Sequence, residues 1–225
     1  MTICPEQLRK ALHHVWPSAS LPALPDLSQQ LNLITDSRKL AEGDVFVAVP
    51  GSQRDGREYI EQALASGASL VLAHTKESDV RLEGQVLFLP HLSLRLGELG
   101  RTLFDVPSGL EIIAVTGTNG KSSVTHYIAE LSEQLGTAAG VIGTLGVGRP
   151  GKLLESGLTT PGPLALQATL GELARQGVKR VALEASSHAL DQQRLDAVNV
   201  NVGVFTNLTR DHLDYHGSMA AYAAA

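Results

Sequence analysis

Val115-Thr116-Gly117-Thr118-Asn119-Gly120-Lys121-Ser122-Ser123 stands between a β-rich run, Ile112 to Val115, and a helical pattern whose apolar positions are Val124, Tyr127, Ile128, Leu131 and Leu135. A glycine-rich turn in that setting lets backbone N–H groups converge on phosphate oxygens at the positive end of a helix. It also demands a strand, a helix and a sheet to return to, which restricts the fold to the α/β class. In this reading the loop holds phosphate, with Lys121 at the β and γ phosphates and the Ser122 hydroxyl on Mg²⁺. The general G-x-x-x-x-G-K-[ST] pattern places glycine where this chain has Val115. The structural alternative is a tight strand-to-helix turn with a solvated lysine.

Further runs extend the α/β pattern in both directions. Leu31 to Thr35, Val45 to Val49, Leu70 to Ala73 and Gln85 to Leu89 read as strands. Helical spacing at Tyr59, Ile60, Ala63 and Leu64, then at Leu92, Leu96, Leu99 and Leu103, separates them. Asp105-Val106-Pro107-Ser108-Gly109 interrupts the alternation just before the strand that feeds the glycine-rich turn, so a domain boundary is expected near residue 108. Beyond the turn, Leu166, Leu170, Leu173 and Ala174 mark a helix ending at Gly177, followed by strands at Arg180 to Leu183 and Val198 to Phe205. Helices between successive strands imply parallel crossovers. The expected architecture is a small α/β domain over 1–108 and a P-loop-type domain with a mostly parallel sheet over 109–225. Ser218 caps a final run to Ala225 that holds under two helical turns, so the second domain is expected to be incomplete.

Charge removes several function classes. The 225 residues carry a net charge of −5, with 10 basic against 13 acidic residues up to Ser108 and 8 against 10 after it. Neither half has the basic footprint of nucleic-acid or anionic-membrane binding, and aromatic residues at 4% offer no base-stacking platform. No run approaches a membrane span, and no early stretch resembles a signal peptide. The one cysteine, Cys4, makes neither an intrachain disulfide nor a paired metal site. The cytoplasm is the expected compartment, and a monomer the expected state.

Glu184 ends the run Val181-Ala182-Leu183, where an acidic residue on a neighbouring strand can reach Mg²⁺. The residues after it, Ala185-Ser186-Ser187-His188, are rich in short hydrogen-bonding side chains, which helix capping also explains. Asn207 to His216 packs two His, two Asp and an Arg behind the last strand, at the end of a sheet where open α/β folds bind ligands. His212 and His216 would share a helix face at i, i+4, yet the glutamate of a zinc H-E-x-x-H motif is absent. A hydrated Mg²⁺ site using one imidazole fits better, the alternative being a solvated loop. Thr159-Thr160-Pro161-Gly162-Pro163 suits a helix cap, and its paired hydroxyls could equally hold a substrate anion.

Together these motifs resemble the Mur ligase family of ATP-dependent peptidoglycan precursor synthetases. The matching segments, in order, are Asp36-Ser37-Arg38, Gly43 to Ala48, Asp55-Gly56-Arg57, Thr116 to Lys121, Thr159-Thr160-Pro161, Glu184 to His188 and Phe205 to Gly217. The Thr116-to-Lys121 loop alone also admits folylpolyglutamate and cyanophycin synthetases. The resemblance implies that the first domain binds a uridine nucleotide through Thr35, Ser37, Ser52, Gln53 and Arg54. It implies that Gly117, Thr118, Asn119, Gly120, Lys121, Ser122 and Ser123 hold ATP, that Lys121, Glu184 and His212 are catalytic and that Ser122, Glu184 and His212 serve Mg²⁺. It places UDP-N-acetylmuramoyl-L-alanyl-D-glutamate on Thr159, Thr160, Ser186, Gln192 and Arg194. The implied reaction joins that substrate to a diamino acid, meso-diaminopimelate or L-lysine, through an acyl phosphate. Relatives carry a lysine after the stretch matching Tyr222 to Ala225, and a further domain that selects the diamino acid. A fragment, or a noncatalytic nucleotide-sugar binding module, is therefore the competing expectation for this chain.

Overall fold

The structure is a computed structural model describing residues 1–51, 54–155 and 157–225. It divides between Leu103 and Phe104 into two compact units. The division falls a few residues before the expected boundary near 108, because Phe104 already packs in the second unit, its carbonyl lying against Gly171.

The first unit runs β1 (Thr2–Ile3), α1 (Pro5–Val15), β2 (Leu31–Ile34), β3 (Val45–Ala48), α2 (Ile60–Ala65), β4 (Leu70–Thr75), β5 (Arg81–Glu83), β6 (Val86–Pro90) and α3 (Leu92–Leu103). Its sheet has the order β1-β2-β3-β4-β6-β5, with β2, β3, β4 and β6 parallel and the two edge strands antiparallel. All the residues of β3 and β4 are buried, the signature of parallel strands covered on both faces. Helix α1 turns Leu8, Ala11, Leu12 and Val15 inward and lies against α3. Short 3₁₀ turns at Ser37–Lys39 and Gly56–Tyr59 follow β2 and β3, each capped by an aspartate that also pairs with an arginine, Asp36 with Arg38 and Asp55 with Arg57.

The second unit runs β7 (Glu111–Thr116), α4 (Lys121–Gln134), β8 (Ala139–Gly143), β9 (Gly146–Arg149), β10 (Lys152–Leu154), α5 (Pro163–Arg175), β11 (Arg180–Glu184), α6 (Ser187–Asp191), β12 (Val200–Phe205), α7 (Leu213–His216) and α8 (Met219–Ala224). The sheet order is β10-β9-β8-β11-β7-β12. Strands β8, β11, β7 and β12 are parallel, so their carboxyl ends meet along one edge, while β9 and β10 form an antiparallel margin. Leu166, Leu170 and Leu173 of α5 join Ile112, Val181 and Leu183 of the sheet in one core cluster. Among the described residues no helix is long and apolar enough to cross a membrane.

Helix α4 forms where expected but buries only part of the expected face. Thr125, Ala129 and Ser132 face inward, while Tyr127, Leu131 and Leu135 are 63%, 57% and 80% exposed. The sheet beneath offers Ala139, Val141 and Ala182, and Ala129 packs on them with Ile128 partly buried alongside. The buried hydroxyls cost little because each is bonded to its own helix, Thr125 to the Ser122 carbonyl and Ser132 to that of Ile128. Periodicity identified the helix, but packing on the sheet chose its buried face.

One polar contact in the first unit makes a stability prediction. His74, buried near the end of β4, accepts the Ser93 N–H at the start of α3 on Nδ1 at 3.1 Å, which requires a neutral ring at that nitrogen. Burial, then Arg57, His91 and Lys76, lower its pKa below 6.5, and only Asp55 opposes them. The unfolded chain therefore binds more protons below pH 6.5, and stability falls as pH drops through that value. His74→Asn, whose Oδ1 can accept the same N–H without titrating, should flatten the melting temperature between about pH 7 and pH 5. An unchanged slope would assign the acid sensitivity to other groups.

Candidate active site

The carboxyl ends of β7, β8, β11 and β12 deliver the functional side chains of the second unit. The turn after β7 uses fewer residues than the general phosphate loop, because Val115 is a fully buried strand residue whose carbonyl accepts the Ala185 N–H. The loop proper starts at Gly117, which no other residue could replace. A Cβ there would lie 2.2 Å from Thr206 Oγ1 and 2.8 Å from the Asn207 carbonyl oxygen. Gly120, at φ +87°, caps α4.

The segment behind β12 is tied directly to this loop. Thr118 N–H donates to the Asn207 carbonyl at 2.9 Å and Asn119 N–H to Asn207 Oδ1 at 3.1 Å. In return Asn207 Nδ2 and Thr206 Oγ1 donate to the Asn119 carbonyl at 3.0 and 2.7 Å. The amides of Thr118 and Asn119 are thus used up within the protein. Those of Gly120, Lys121, Ser122 and Ser123 find no protein acceptor among the described residues. They form an anion cradle at the positive end of α4. Lys121 Nζ folds back onto the carbonyls of Gly117 and Thr118, at 2.7 and 3.1 Å, within reach of the same cradle.

Glu184 is only 1% exposed. Its carboxylate accepts the backbone N–H of Thr144 at 3.0 Å and the Thr144 hydroxyl at 3.1 Å, and Thr144 Oγ1 also lies 2.9 Å from Thr159 Oγ1. Gly143 leaves room for this arrangement, since a Cβ there would stand 2.1 Å from Glu184 Oε1. Thr160 Oγ1 donates to the Glu184 carbonyl at 2.7 Å and accepts the Ser186 N–H at 3.1 Å. Arg194 donates to the Thr160 carbonyl at 2.7 Å and, through Nε and Nη2, to Gln192 Oε1. Burial lowers the Arg194 pKa from the ordinary arginine value, and no carboxylate pairs with it among the described residues. A guanidinium with no acidic partner, at a cavity wall, suits an anionic ligand.

One cavity of about 550 Å³ gathers most of these groups: Lys121, Ser122, Glu184, His212, Thr159, Thr160, Ser186 and Arg194, with Gly120, Asn119 and Thr118 of the loop. Gly117 faces a smaller neighbouring hollow and Ser123 is exposed. Gln192 acts through Arg194 and Tyr215 and is not a cavity wall. His212 precedes the single turn α7 with φ +50°, so it does not share a helix face with His216. His216 Nε2 instead lies 3.0 Å from Ser187 Oγ. Among the described residues no three His, Cys, Asp or Glu side chains cluster as a metal cage. His188, tilted against Tyr215 and edge-on to His212, also lines the cavity, and burial, with His212 and His216 nearby, lowers its pKa.

In the first unit, Thr35, Ser37 and Arg54 line a separate cavity of about 490 Å³ with Asp36, Arg38 and Tyr59. Asp36 is held at about 2 by its hydrogen bonds from Arg38. Ser52 and Gln53 lie outside the described residues.

Two family models match in the same order as the units. The Mur ligase family, catalytic domain, matches residues 32–100, and the Mur ligase middle domain matches 115–225. The chain belongs to the Mur ligase family. Similar curated relatives include UDP-N-acetylmuramoyl-L-alanyl-D-glutamate--2,6-diaminopimelate ligases of Coxiella burnetii, 46% identical over 196 residues, and of Pseudomonas aeruginosa, 48% identical over 197. Each alignment covers 86% of this chain, and the chain spans about 40% of the length of these relatives. A solved structure of a ligase of the same name superposes with a TM-score of 0.75 at 35% identity, over 100% of this chain and 44% of that one. A MurF ligase from Thermotoga maritima in complex with ADP shares the fold, with a TM-score of 0.56 at 20% identity over 86% of this chain and 41% of its own.

Within this Mur ligase chain, Thr144 and Asn207 are the site residues that motif reading did not single out. Nothing in the sequence gives the role of Thr144, which comes from β8 lying beside β11. Asn207 was visible inside a polar run but indistinguishable from its neighbours. The Glu184 seat is testable through Gly143→Ala. The added methyl must displace the carboxylate or the strand, which should destabilise the chain by about 1–3 kcal/mol in denaturant melts. Unchanged stability would mean that Glu184 has room to move.

Proposed function

We propose that the polypeptide carrying these units is a cytoplasmic ATP-dependent ligase that joins a diamino acid to UDP-N-acetylmuramoyl-L-alanyl-D-glutamate. The observation that supports it best is the single cavity lined by Gly120, Lys121 and Ser122, whose amides have no protein acceptor among the described residues, together with Thr159, Thr160 and Arg194. A triphosphate on the amides and a carboxylate near Arg194 would share one enclosure, as phosphorylation of a carboxylate requires. The similarity to relatives named 2,6-diaminopimelate ligases favours diaminopimelate over lysine as the amino acid.

Mg²⁺ fits the donors present. It prefers oxygen ligands, keeps several waters and takes one or two protein groups beside substrate phosphates. Ser122 and Glu184 would supply oxygens and His212 an imidazole, all lining one cavity. The bound ion would neutralise charge as carboxylate and triphosphate approach. The chain's own contribution is positional. Thr144 fixes the Glu184 carboxylate, Thr160 and Gln192 orient Arg194, and Lys121 leaves the loop carbonyls to meet phosphate. The substrate carboxylate attacks the γ-phosphorus and releases ADP, and the amine then displaces phosphate from the acyl phosphate. The first unit would hold the uridine nucleotide in the cavity at Thr35, Ser37 and Arg54, and we assign 1–103 to that role.

Calorimetry on the full chain tests the assignment. Lys121→Ala should weaken binding of ADP with Mg²⁺ at least tenfold, the loss of one charge-assisted phosphate contact, while UDP binding stays within about twofold. Equal loss of both would contradict separate sites. Absence of wild-type binding to both nucleotides would remove the functional reading.

A further inference from the structure

The phosphate cradle depends on a residue outside it. Every polar group of Thr118 is engaged. Its N–H donates to Asn207, its carbonyl accepts Lys121 Nζ, and its hydroxyl meets Thr209 and Tyr222. The hydroxyl accounting is closed. Thr118 Oγ1 accepts the Thr209 N–H at 2.9 Å and is placed to donate its one proton to the Thr209 carbonyl at 3.2 Å. The Tyr222 hydroxyl, 3.0 Å away, is then the donor to the remaining lone pair. Both residues are buried, Thr118 at 8% and Tyr222 at 6% exposure, so the bond is made with little competition from bulk water.

Tyr222 sits on α8, far along the chain from the loop, and its ring is anchored independently. It stacks on His216 with centroids 5.2 Å apart and meets His212 edge-on at 6.0 Å. His216 is in turn held by Ser187 at 3.0 Å. The hydroxyl therefore reaches Thr118 from a fixed platform that also abuts His212.

We propose that Tyr222 is a positioning residue for the nucleotide: its hydroxyl fixes Thr118, so that the Gly120-to-Ser123 amides keep their phosphate-accepting arrangement when Lys121 leaves the loop. The proposal rests on the reading of that cradle as a phosphate site. In the ligand-free chain Lys121 helps to hold Thr118 through its carbonyl. Once phosphate takes the lysine, that bond goes, and the bonds to Asn207, Thr209 and Tyr222 hold the loop alone. Loss of the Tyr222 hydroxyl should therefore be felt more in the nucleotide-bound state than in the free one.

The test is a double-mutant cycle in the full chain, using Tyr222→Phe, Thr118→Val and the pair, with ADP and Mg²⁺ titrated by calorimetry well below the melting temperature. Tyr222→Phe keeps the ring on its platform and should weaken ADP about fivefold, the net effect of one neutral hydrogen bond. Its melting temperature without ligand should stay within about 1 °C of wild type, less than the about 2–4 °C that full loss of such a bond would give in a chain of this size. The pair should bind no more weakly than Thr118→Val alone, since the Tyr222 hydroxyl acts only through Thr118. A hydroxyl with a purely structural role would lower the melting temperature and leave ADP affinity unchanged, which would overturn the proposal, as would additive losses in the pair. If Thr118→Val does not fold, the Tyr222→Phe affinity decides by itself. Wild-type failure to bind ADP would refute the phosphate reading and the positioning role together, whereas wild-type binding with an unaffected Tyr222→Phe refutes the positioning role alone.

Discussion

A loop that binds phosphate must hold a row of backbone N–H groups without partners until the ligand arrives, and unpartnered backbone has no reason of its own to keep a shape. In this chain the shape comes from the neighbouring groups. Asn207 takes the amides of Thr118 and Asn119, Thr206 and Asn207 hold the Asn119 carbonyl, and only the amides of Gly120 to Ser123 are left over. The division between used and unused amides defines the site. Gly117 is part of the same constraint, because the Thr206 hydroxyl stands where its side chain would be.

The acid at the end of β11 is held by the same logic. A carboxylate 1% exposed is costly to keep unless its oxygens are bonded, and Thr144 supplies both a backbone and a hydroxyl donor to Glu184. Thr160 and Gln192 fix Arg194 without neutralising it. The cavity thus presents a positive cradle, a buried acid and a lone guanidinium at fixed places on the carboxyl edge of one parallel sheet. Such an arrangement suits anionic groups held close together.

Much of this was legible in the sequence, and the failures have physical causes. The loop, Glu184 and the His212 segment could be read because glycine, lysine and acid at strand ends are local patterns. The partners Thr144 and Asn207 could not, because strand order decides which ends are neighbours: β8 lies beside β11, and β12 beside β7. The α4 face was only partly read: Ile128 does pack on the alanine and valine floor, but Tyr127, Leu131 and Leu135 stay exposed and the fully buried positions are Thr125, Ala129 and Ser132. Helix α1 was recoverable from Leu8, Ala11, Leu12 and Val15 at i, i+3, i+4 and i+7. The strands β9 and β10 were not, being short and carrying glycine at Gly146 and Gly148.

The central claim is that the amides of this loop are divided into a structural pair and a ligand-binding row before any nucleotide is present. Amide NMR of the full chain titrated with inorganic pyrophosphate and Mg²⁺ tests it most directly. The account predicts large, saturable shifts at Gly120, Lys121, Ser122 and Ser123, with Thr118 and Asn119 moving little because Asn207 already holds them. Shifts at Thr118 and Asn119 as large as those of the row, or no saturable shift at all, would contradict it.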